Sequence, residues 1–487
     1  MRAGNVTLRR TRCLAVSHDL RAPATRVPAP INMQSPPANG PALSASSSTA
    51  SFCSSAPCVS QLAVIMVGLP ATGKSFISRS LARYLRWLGY ETKIFSAALY
   101  RQQMIGTNID AEFFNTDRAD CLKSRTVVAD AALNDMIAYL KQDLDRAHEC
   151  DSHACSYFER VAIMDAANTI KDRRQIIADG LKSNHLPYLF IECVYESEAL
   201  LNEHLQFLHL LSPDYANMTP EQAAKDYRQR MGYYKKDYEQ LQLEESWPVI
   251  RMINGGERLE LGSVTGFLPC KIVLFLMNLL CQRRKIFLKI QSQQTETQLH
   301  EEVAQLMESE QELQIWIGPD VAFPAALAAS VKSELAGISS FPEIEHLPDD
   351  AKEAVLAAQF PEDFALYQQH PYNFRFPRSE SYADLARRLQ PSILQLEGSS
   401  ASAVLIVADI SVIRCVYSYY VESSDANKIP RLKLNSDEII ELEPLAYGCF
   451  ESRRKDGVRV KEKVFRAYLD EPPANHTSPK LIAKDNK

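Results

Sequence analysis

The sequence predicts an α/β protein: a parallel sheet flanked by helices and opened by a phosphate-binding loop, then a second α/β unit. Three observations predict it. The apolar run LAVIMV at 62–67 meets a glycine-bounded loop and then Lys-Ser. Strand-like and helix-like stretches alternate from there to residue 253. A fresh set of short apolar runs begins after residue 285.

Residues 1–60 come first. They hold six Arg, no Lys and one acid, Asp19, and they end in the Ser/Pro/Ala-rich PALSASSSTASFCSSAPCVS. Such a composition buries too little apolar surface to offset chain entropy, so a disordered tail is expected over 1–60. An Arg- and Ser-rich, acid-poor start also suits an organelle transit peptide. The cytoplasm is the expected compartment, with the organelle as the alternative.

The next element carries chemistry. Gly68-Leu69-Pro70-Ala71-Thr72-Gly73-Lys74-Ser75 fits the P-loop pattern GxxxxGKS. Glycines let successive backbone N–H groups turn toward one anion, and the following helix offers its positive N-terminal end to the same anion. Lys74 suits the β- and γ-phosphates of a nucleotide, and the Ser75 hydroxyl suits Mg2+. The context agrees. The run before the loop reads as a buried parallel strand, and Ile77, Leu81, Tyr84, Leu85 and Leu88 then recur at helical spacing before Gly89.

Further strands are expected at 92–96, 161–165, 188–194 and 248–253, with helices at 118–144, 219–241 and about 264–281. VAIMD at 161–165 is an apolar strand ending in an acid, which puts Asp165 beside the metal of a neighbouring P-loop. The basic QRRK at 282–285 marks a join. Beyond it, strands are expected near 286–290, 313–317, 404–408 and 438–443, with a polar helix at 293–313. The predicted organisation is a tail over 1–60, a first domain over 61–285, a second over 286–470 and a short tail over 471–487.

Composition narrows the partners. A net charge of −6 supplies no electrostatic footprint for nucleic acid. The longest apolar run, IVLFLMNLLC at 272–281, is half a membrane span and is flanked by Lys271, Arg283 and Arg284. Eleven scattered cysteines without a CxxC pair suit reduced thiols rather than a disulfide frame or a zinc site. A P-loop with an aspartate implies a nucleotide and Mg2+ but leaves the acceptor open. Arg101, Arg125, Lys171, Arg173, Arg174 and Arg230 suggest an anionic one.

The stretches VIMVGLPATGKS, ALYRQQM, AALND, DAANTIKDRR, LLSPDY and FLMN resemble the kinase half of the bifunctional 6-phosphofructo-2-kinase/fructose-2,6-bisphosphatase family. The resemblance implies a P-loop kinase domain with a parallel sheet flanked by helices, followed by a histidine-phosphatase-like α/β domain. It also implies ATP-dependent phosphorylation of fructose 6-phosphate to fructose 2,6-bisphosphate. By it, Gly68 to Ser75 and Asn168 bind ATP and Mg2+, and Lys74 and Asp165 are catalytic, with Ser75 and Asp165 on the metal. Arg101, Arg125, Thr169, Arg230, Tyr234 and His209 take the sugar phosphate. Four positions depart from the family: Thr72 for Arg, His209 for Lys, Lys171 for Arg and Gln229 for a second Arg. Members are often dimers, so a homodimer is one expectation.

The second half resembles the family's phosphatase half from about residue 341. There the nucleophilic histidine of the first strand is replaced within KIQSQ, and Asp409 stands where a second histidine is expected. The Arg expected soon after IWIGP is also missing, and Glu343 is a weak match to the family's acid. Arg375, Arg378, Tyr382 and Arg414 match a distal sugar-phosphate pocket. The resemblance therefore implies a degenerate, inactive phosphatase domain. Two other readings stay open: a kinase of a different sugar phosphate, and a ligand-binding pseudoenzyme.

Overall fold

A computed structural model describes residues 6–9, 60–107, 109–142, 159–196, 215, 218–242, 247–282, 284–291, 296–310, 312–318, 331–334, 349–375, 380–421, 426–445, 448–455 and 458–466. The first half contains β1 (Val6–Arg9), β2 (Ser60–Val67), α1 (Lys74–Trp87), β3 (Glu91–Ser96), α2 (Ala97–Met104), α3 (Ala119–Lys141) and β4 (Glu159–Asp165). It continues with α4 (Lys171–Ser183), β5 (Tyr188–Val194), α5 (Pro220–Lys236), β6 (Val249–Ile253), β7 (Arg258–Gly262) and α6 (Phe267–Asn278).

These strands form one sheet in the order β1-β7-β6-β5-β2-β4-β3. The five from β6 to β3 are parallel, as the apolar runs require, while β7 and β1 add antiparallel at one edge. β2 is central and buried on both faces, which is why LAVIMV shows no alternation. Three features differ from expectation, and one is β7 itself, a strand at Arg258–Gly262 that is not among those expected. Val6–Arg9, inside the stretch expected to be disordered, forms β1 by pairing with β7. An edge strand needs only a partner's backbone, and composition does not report that. The helix expected over 219–241 stops at Lys236, because the Leu241 N–H and the Tyr238 hydroxyl turn to the buried Glu192 carboxylate.

The second half contains β8 (Lys285–Ile290), α7 (Glu296–Ser309), β9 (Leu313–Ile317), β10 (Val331–Glu334), α8 (Asp349–Gln359) and α9 (Pro361–Gln369). After these come α10 (Tyr382–Gly398), β11 (Ala403–Ala408), α11 (Ile410–Val421), β12 (Ile439–Leu445), β13 (Gly448–Lys455) and β14 (Val458–Arg466). The sheet order is β10-β9-β11-β8-β12-β13-β14, parallel from β10 to β8 and antiparallel from there. β10, β13 and β14 are additions to the expected strands. GCFESRRK and VRVKEKVFR are charge-rich and lack an apolar run, so they read as loop although they form a hairpin.

The two halves share a core. One apolar cluster runs from Leu62 and Leu81 through Phe275 and Leu276 to Leu389 and Ile413. α1, which leaves the phosphate loop, is its centre. Tyr84 stacks on Phe275 with ring centroids 4.4 Å apart and accepts a hydrogen bond from Gln390 Nε2 at 2.7 Å. Trp87 Nε1 donates to the Cys415 carbonyl at 3.0 Å. Arg83 pairs with Glu397 at 2.8 Å, both buried, and Glu397 also accepts from the Tyr419 hydroxyl at 2.7 Å. The join is packed at Arg284, which is buried and donates to the Leu396 carbonyl at 2.5 Å.

Removing one member of a buried ion pair leaves the other charge uncompensated. Glu397→Ala is therefore expected to destabilise the full chain by about 3–5 kcal/mol, read from urea unfolding. A loss below about 1 kcal/mol, the range of a surface pair, would contradict the packing described.

Candidate active site

The carboxyl ends of β2, β3 and β4 open on one cleft of about 260 Å3. Open parallel sheets bind ligands at this end. β2 delivers the loop 68–75. Gly68 has φ +138°, and a Cβ there would lie 2.4 Å from the Cys193 carbonyl oxygen on β5, so only glycine fits. Gly73, at φ +75°, caps α1. Thr72 is buried, and its Oγ1 donates to the Leu69 carbonyl at 2.8 Å. It braces the loop and brings no charge.

Lys74 folds back over the loop, donating to the Leu69 carbonyl and to Thr72 Oγ1 at 3.4 Å. Burial pushes its ammonium down to about 8, against the pull of the Asp165 carboxylate, which raises it. Burial pushes the neighbouring Cys193 thiol up to about 12, so it stays protonated and is no nucleophile at neutral pH.

β4 ends at Asp165, in register with Ser96 of β3. The loop after it is held from three sides. The Gly68 N–H donates to the Ala167 carbonyl at 2.9 Å, and Asn168 Nδ2 donates to the Met66 carbonyl at 2.9 Å. Fully buried Arg174 donates to the carbonyls of Asn168 at 3.2 Å and Thr169 at 2.8 Å. Arg174, which the sequence marks by its charge alone, is thus a support for the Asp165 loop. Its neighbour Arg173 points into the cleft. It pairs with Asp130, and its Nε and Nη2 are buried without a hydrogen-bond partner.

The far wall carries cations set on aromatic rings. α2 contributes buried Arg101 and α3 contributes Arg125, whose Nη1 donates to the Phe114 carbonyl at 2.9 Å. α5, started by a Thr219–Gln222 capping box with Pro220, presents Tyr227, Arg230 and Tyr234 on one face. The Arg230 guanidinium lies 3.7 Å from the Phe114 ring centroid, and that of Arg125 lies 4.9 Å from the Tyr234 ring centroid. Cation–ring contacts hold a guanidinium in place without neutralising it, so its charge remains for a ligand.

One cleft therefore unites Pro70, Lys74, Ser75, Asp165, Asn168, Thr169, Arg101, Arg125, Arg230 and Tyr234. Phe113, Phe114 and Tyr227 also line it, and the sequence does not single them out. Only the i, i+3, i+7 spacing of Tyr227, Arg230 and Tyr234 signals the last of these. Gln229 is not among the lining residues. It is exposed and donates to Glu112 at 2.9 Å and to the Tyr233 hydroxyl at 3.2 Å. His209 lies outside the described residues, as do Arg378 and Glu343.

In the second half, β8 ends before Gln291 and β11 before Asp409. Asp409 Oδ1 accepts from the Ser411 N–H at 2.8 Å, the Ser411 hydroxyl at 2.7 Å and the Val412 N–H at 3.2 Å. It has the role of an N-cap on α11. Arg414 is buried and reaches the Tyr382 hydroxyl at 3.3 Å and the Leu432 carbonyl at 2.9 Å. Arg375 is exposed and pairs with Asp384, whose carboxyl it holds below the usual range. The structure brings Tyr382 and Arg414 together and sends Arg375 to Asp384 instead.

A β-strand, glycine loop and helix facing an acid-ended parallel strand make the first half a P-loop kinase fold, and a histidine-phosphatase-like α/β fold follows it. Comparison with known proteins gives the particular family. The 6-phosphofructo-2-kinase profile matches residues 50–283, and the histidine phosphatase superfamily (branch 1) profile matches 327–456. The chain is 31% identical over 411 residues to a Gallus gallus 6-phosphofructo-2-kinase/fructose-2,6-bisphosphatase, covering 79% of this chain and 83% of that one. It is 32% identical over 416 residues to the Caenorhabditis elegans 6-phosphofructo-2-kinase/fructose-2,6-bisphosphatase, covering 79% and 87%. It is 29% identical over 426 residues to Homo sapiens 6-phosphofructo-2-kinase/fructose-2,6-bisphosphatase 3, covering 79% and 75%. The chain belongs to the 6-phosphofructo-2-kinase/fructose-2,6-bisphosphatase family.

The close approach at Gly68 makes a sharp prediction. Gly68→Ala forces backbone against backbone and is expected to cost about 1–3 kcal/mol of stability and to weaken any nucleotide binding at the loop. The checks are thermal unfolding and equilibrium titration; a Gly68→Ala protein with wild-type affinity would rule out the described loop.

Proposed function

We propose that the cleft transfers the γ-phosphoryl group of ATP to the 2-hydroxyl of fructose 6-phosphate, and that the second half has no fructose-2,6-bisphosphatase activity. One observation carries the kinase reading: among the described lining residues, Lys74 and four arginines from four helices face a single carboxylate, Asp165. So many cations in one low-dielectric cleft repel one another unless polyanions occupy it, and a nucleotide plus a sugar phosphate supplies that charge.

The roles divide along the cleft. The loop N–H groups and the start of α1 bind the β- and γ-phosphates, and Lys74 offsets charge on the moving phosphoryl group. Ser75 and Asp165 line the cleft with one hydroxyl and one carboxylate, a sparse donor set that fits Mg2+, which keeps waters and shares nucleotide oxygens. When bound, that ion would offset negative charge on the nucleotide phosphates. Arg101, Arg125, Arg173, Arg230, Thr169 and Tyr234 hold the sugar phosphate and aim its 2-hydroxyl. The new O–P bond forms as the bond to the leaving ADP breaks, and the hydroxyl proton passes to Asp165 and on to water. Positioning and charge neutralisation suffice for this chemistry.

Two observations support the reading of the second half. Neither β8 nor β11 ends on a histidine, so the expected nucleophile is lacking. Asp409 puts a carboxylate at the strand end where the resemblance expects the second histidine. At about 4 Å and an effective dielectric near 20, such a carboxylate repels a dianion by several kcal/mol.

Full-length protein with MgATP and a panel of sugar phosphates tests the proposal. Turnover is expected on fructose 6-phosphate with fructose 2,6-bisphosphate as product. Lys74→Met, folded by circular dichroism, is expected to lose about 10²–10³ in rate. Labelled fructose 2,6-bisphosphate is expected to release no phosphate. Preference for another sugar phosphate, full activity in Lys74→Met, or an acid-labile phosphoprotein would each overturn the corresponding part.

A further inference from the structure

The phosphate loop contains a residue in a backbone conformation that its own side chain disfavours. Ala71 has φ +64°, in the left-handed region that L residues other than glycine enter at a cost. Its N–H is satisfied from outside the loop, donating to the Tyr227 hydroxyl at 2.9 Å across 156 positions of sequence.

Tyr227 is a firm anchor. Its ring packs edge-on against Tyr215 with centroids 5.7 Å apart, and the Arg230 guanidinium lies 5.6 Å from its centroid. Its neighbour Asp226 accepts from the Ala111 N–H and from the Tyr215 hydroxyl, each at 2.9 Å. Beyond the other end of α5, the Glu239 N–H donates to the Thr169 carbonyl at 3.1 Å. The helix that supplies the hydroxyl is therefore tied to the acceptor wall at one end and to the Asp165 loop at the other.

We propose that Tyr227 is a positioning residue for the phosphate loop. Its hydroxyl holds Ala71 left-handed, which keeps the amides that follow aimed into the phosphate cradle before a nucleotide arrives. An anion nest of this kind depends on the sequence of backbone angles, and a left-handed residue is one of its defining parts. Preorganisation of this sort shows up as affinity. The same bond links the nucleotide side of the cleft to the helix that carries Arg230 and Tyr234. The inference rests on the kinase reading of the cleft.

The test uses the full chain and MgATP. Tyr227→Phe removes one oxygen and keeps the ring contacts to Tyr215 and Arg230. The dissociation constant and the KM for MgATP are expected to rise roughly 3- to 10-fold, the range of one hydrogen bond. The KM for fructose 6-phosphate is expected to stay within about twofold, since the acceptor-side groups are untouched. Adding Ala71→Gly to Tyr227→Phe is expected to recover most of the lost affinity, because glycine reaches positive φ without help. A tyrosine that merely stabilised the fold would not be rescued by a change in the loop. Unchanged MgATP affinity in Tyr227→Phe, or a loss that Ala71→Gly leaves uncorrected, would overturn the inference while leaving the kinase reading standing. A wild-type protein that binds no MgATP would sink the kinase reading, and the inference with it.

Discussion

The approach of the Gly68 backbone to the Cys193 carbonyl is the constraint from which the site follows. It lets β2 end flush against β5, so the loop turns at the sheet's carboxyl edge instead of over it. That edge is where the Asp165 loop is fastened, through the Gly68 N–H to Ala167 and through Asn168 to Met66. A side chain at position 68 would push these apart, and the phosphate cradle and the acid-ended strand would no longer face one space. Arg174 completes the arrangement from beneath by satisfying carbonyls that the turn leaves open.

α1 carries that constraint into the rest of the molecule. Its first residues, Lys74 and Ser75, face the cleft, while Arg83, Tyr84 and Trp87 are buried among side chains of both halves. The phosphatase-like half thereby keeps a physical role, because it covers one side of the helix that holds the nucleotide loop. The Arg83–Glu397 pair with the Tyr419 and Tyr420 rings is a buried polar network that spans the join. Such a network fixes one docking arrangement, because any slip would strand a charge without water.

Much of this was legible in the sequence for definite reasons. The parallel strands of the first half are long apolar runs, and their bounds fall within about two residues of expectation, the usual precision for element ends. The P-loop motif, Asp165 and arginines of four helices were found by residue type and spacing, and the cleft unites Lys74, Ser75 and Asp165 with those four arginines. What was not legible depends on tertiary partners. β1 exists because β7 offers an open edge, and β13 and β14 exist because each pairs with its neighbour. Phe113, Phe114 and Tyr227 look like ordinary aromatics until the fold sets arginines and the loop beside them. Gln229, which by resemblance alone bore on the acceptor, turns out to bond with Glu112 and Tyr233 outside the cleft lining.

If both substrates meet in this one cleft, the nucleotide lies on the loop and the sugar phosphate on the arginine wall. A crystal structure of the full chain with Mg2+, a non-hydrolysable ATP analogue and fructose 6-phosphate would show whether they do. The γ-phosphorus is expected about 3–3.5 Å from the sugar 2-oxygen, in line with the bond to be broken, with the 6-phosphate on Arg101, Arg125 and Arg230. A sugar phosphate bound elsewhere, or held in the cleft with another hydroxyl toward the γ-phosphorus, would refute that arrangement.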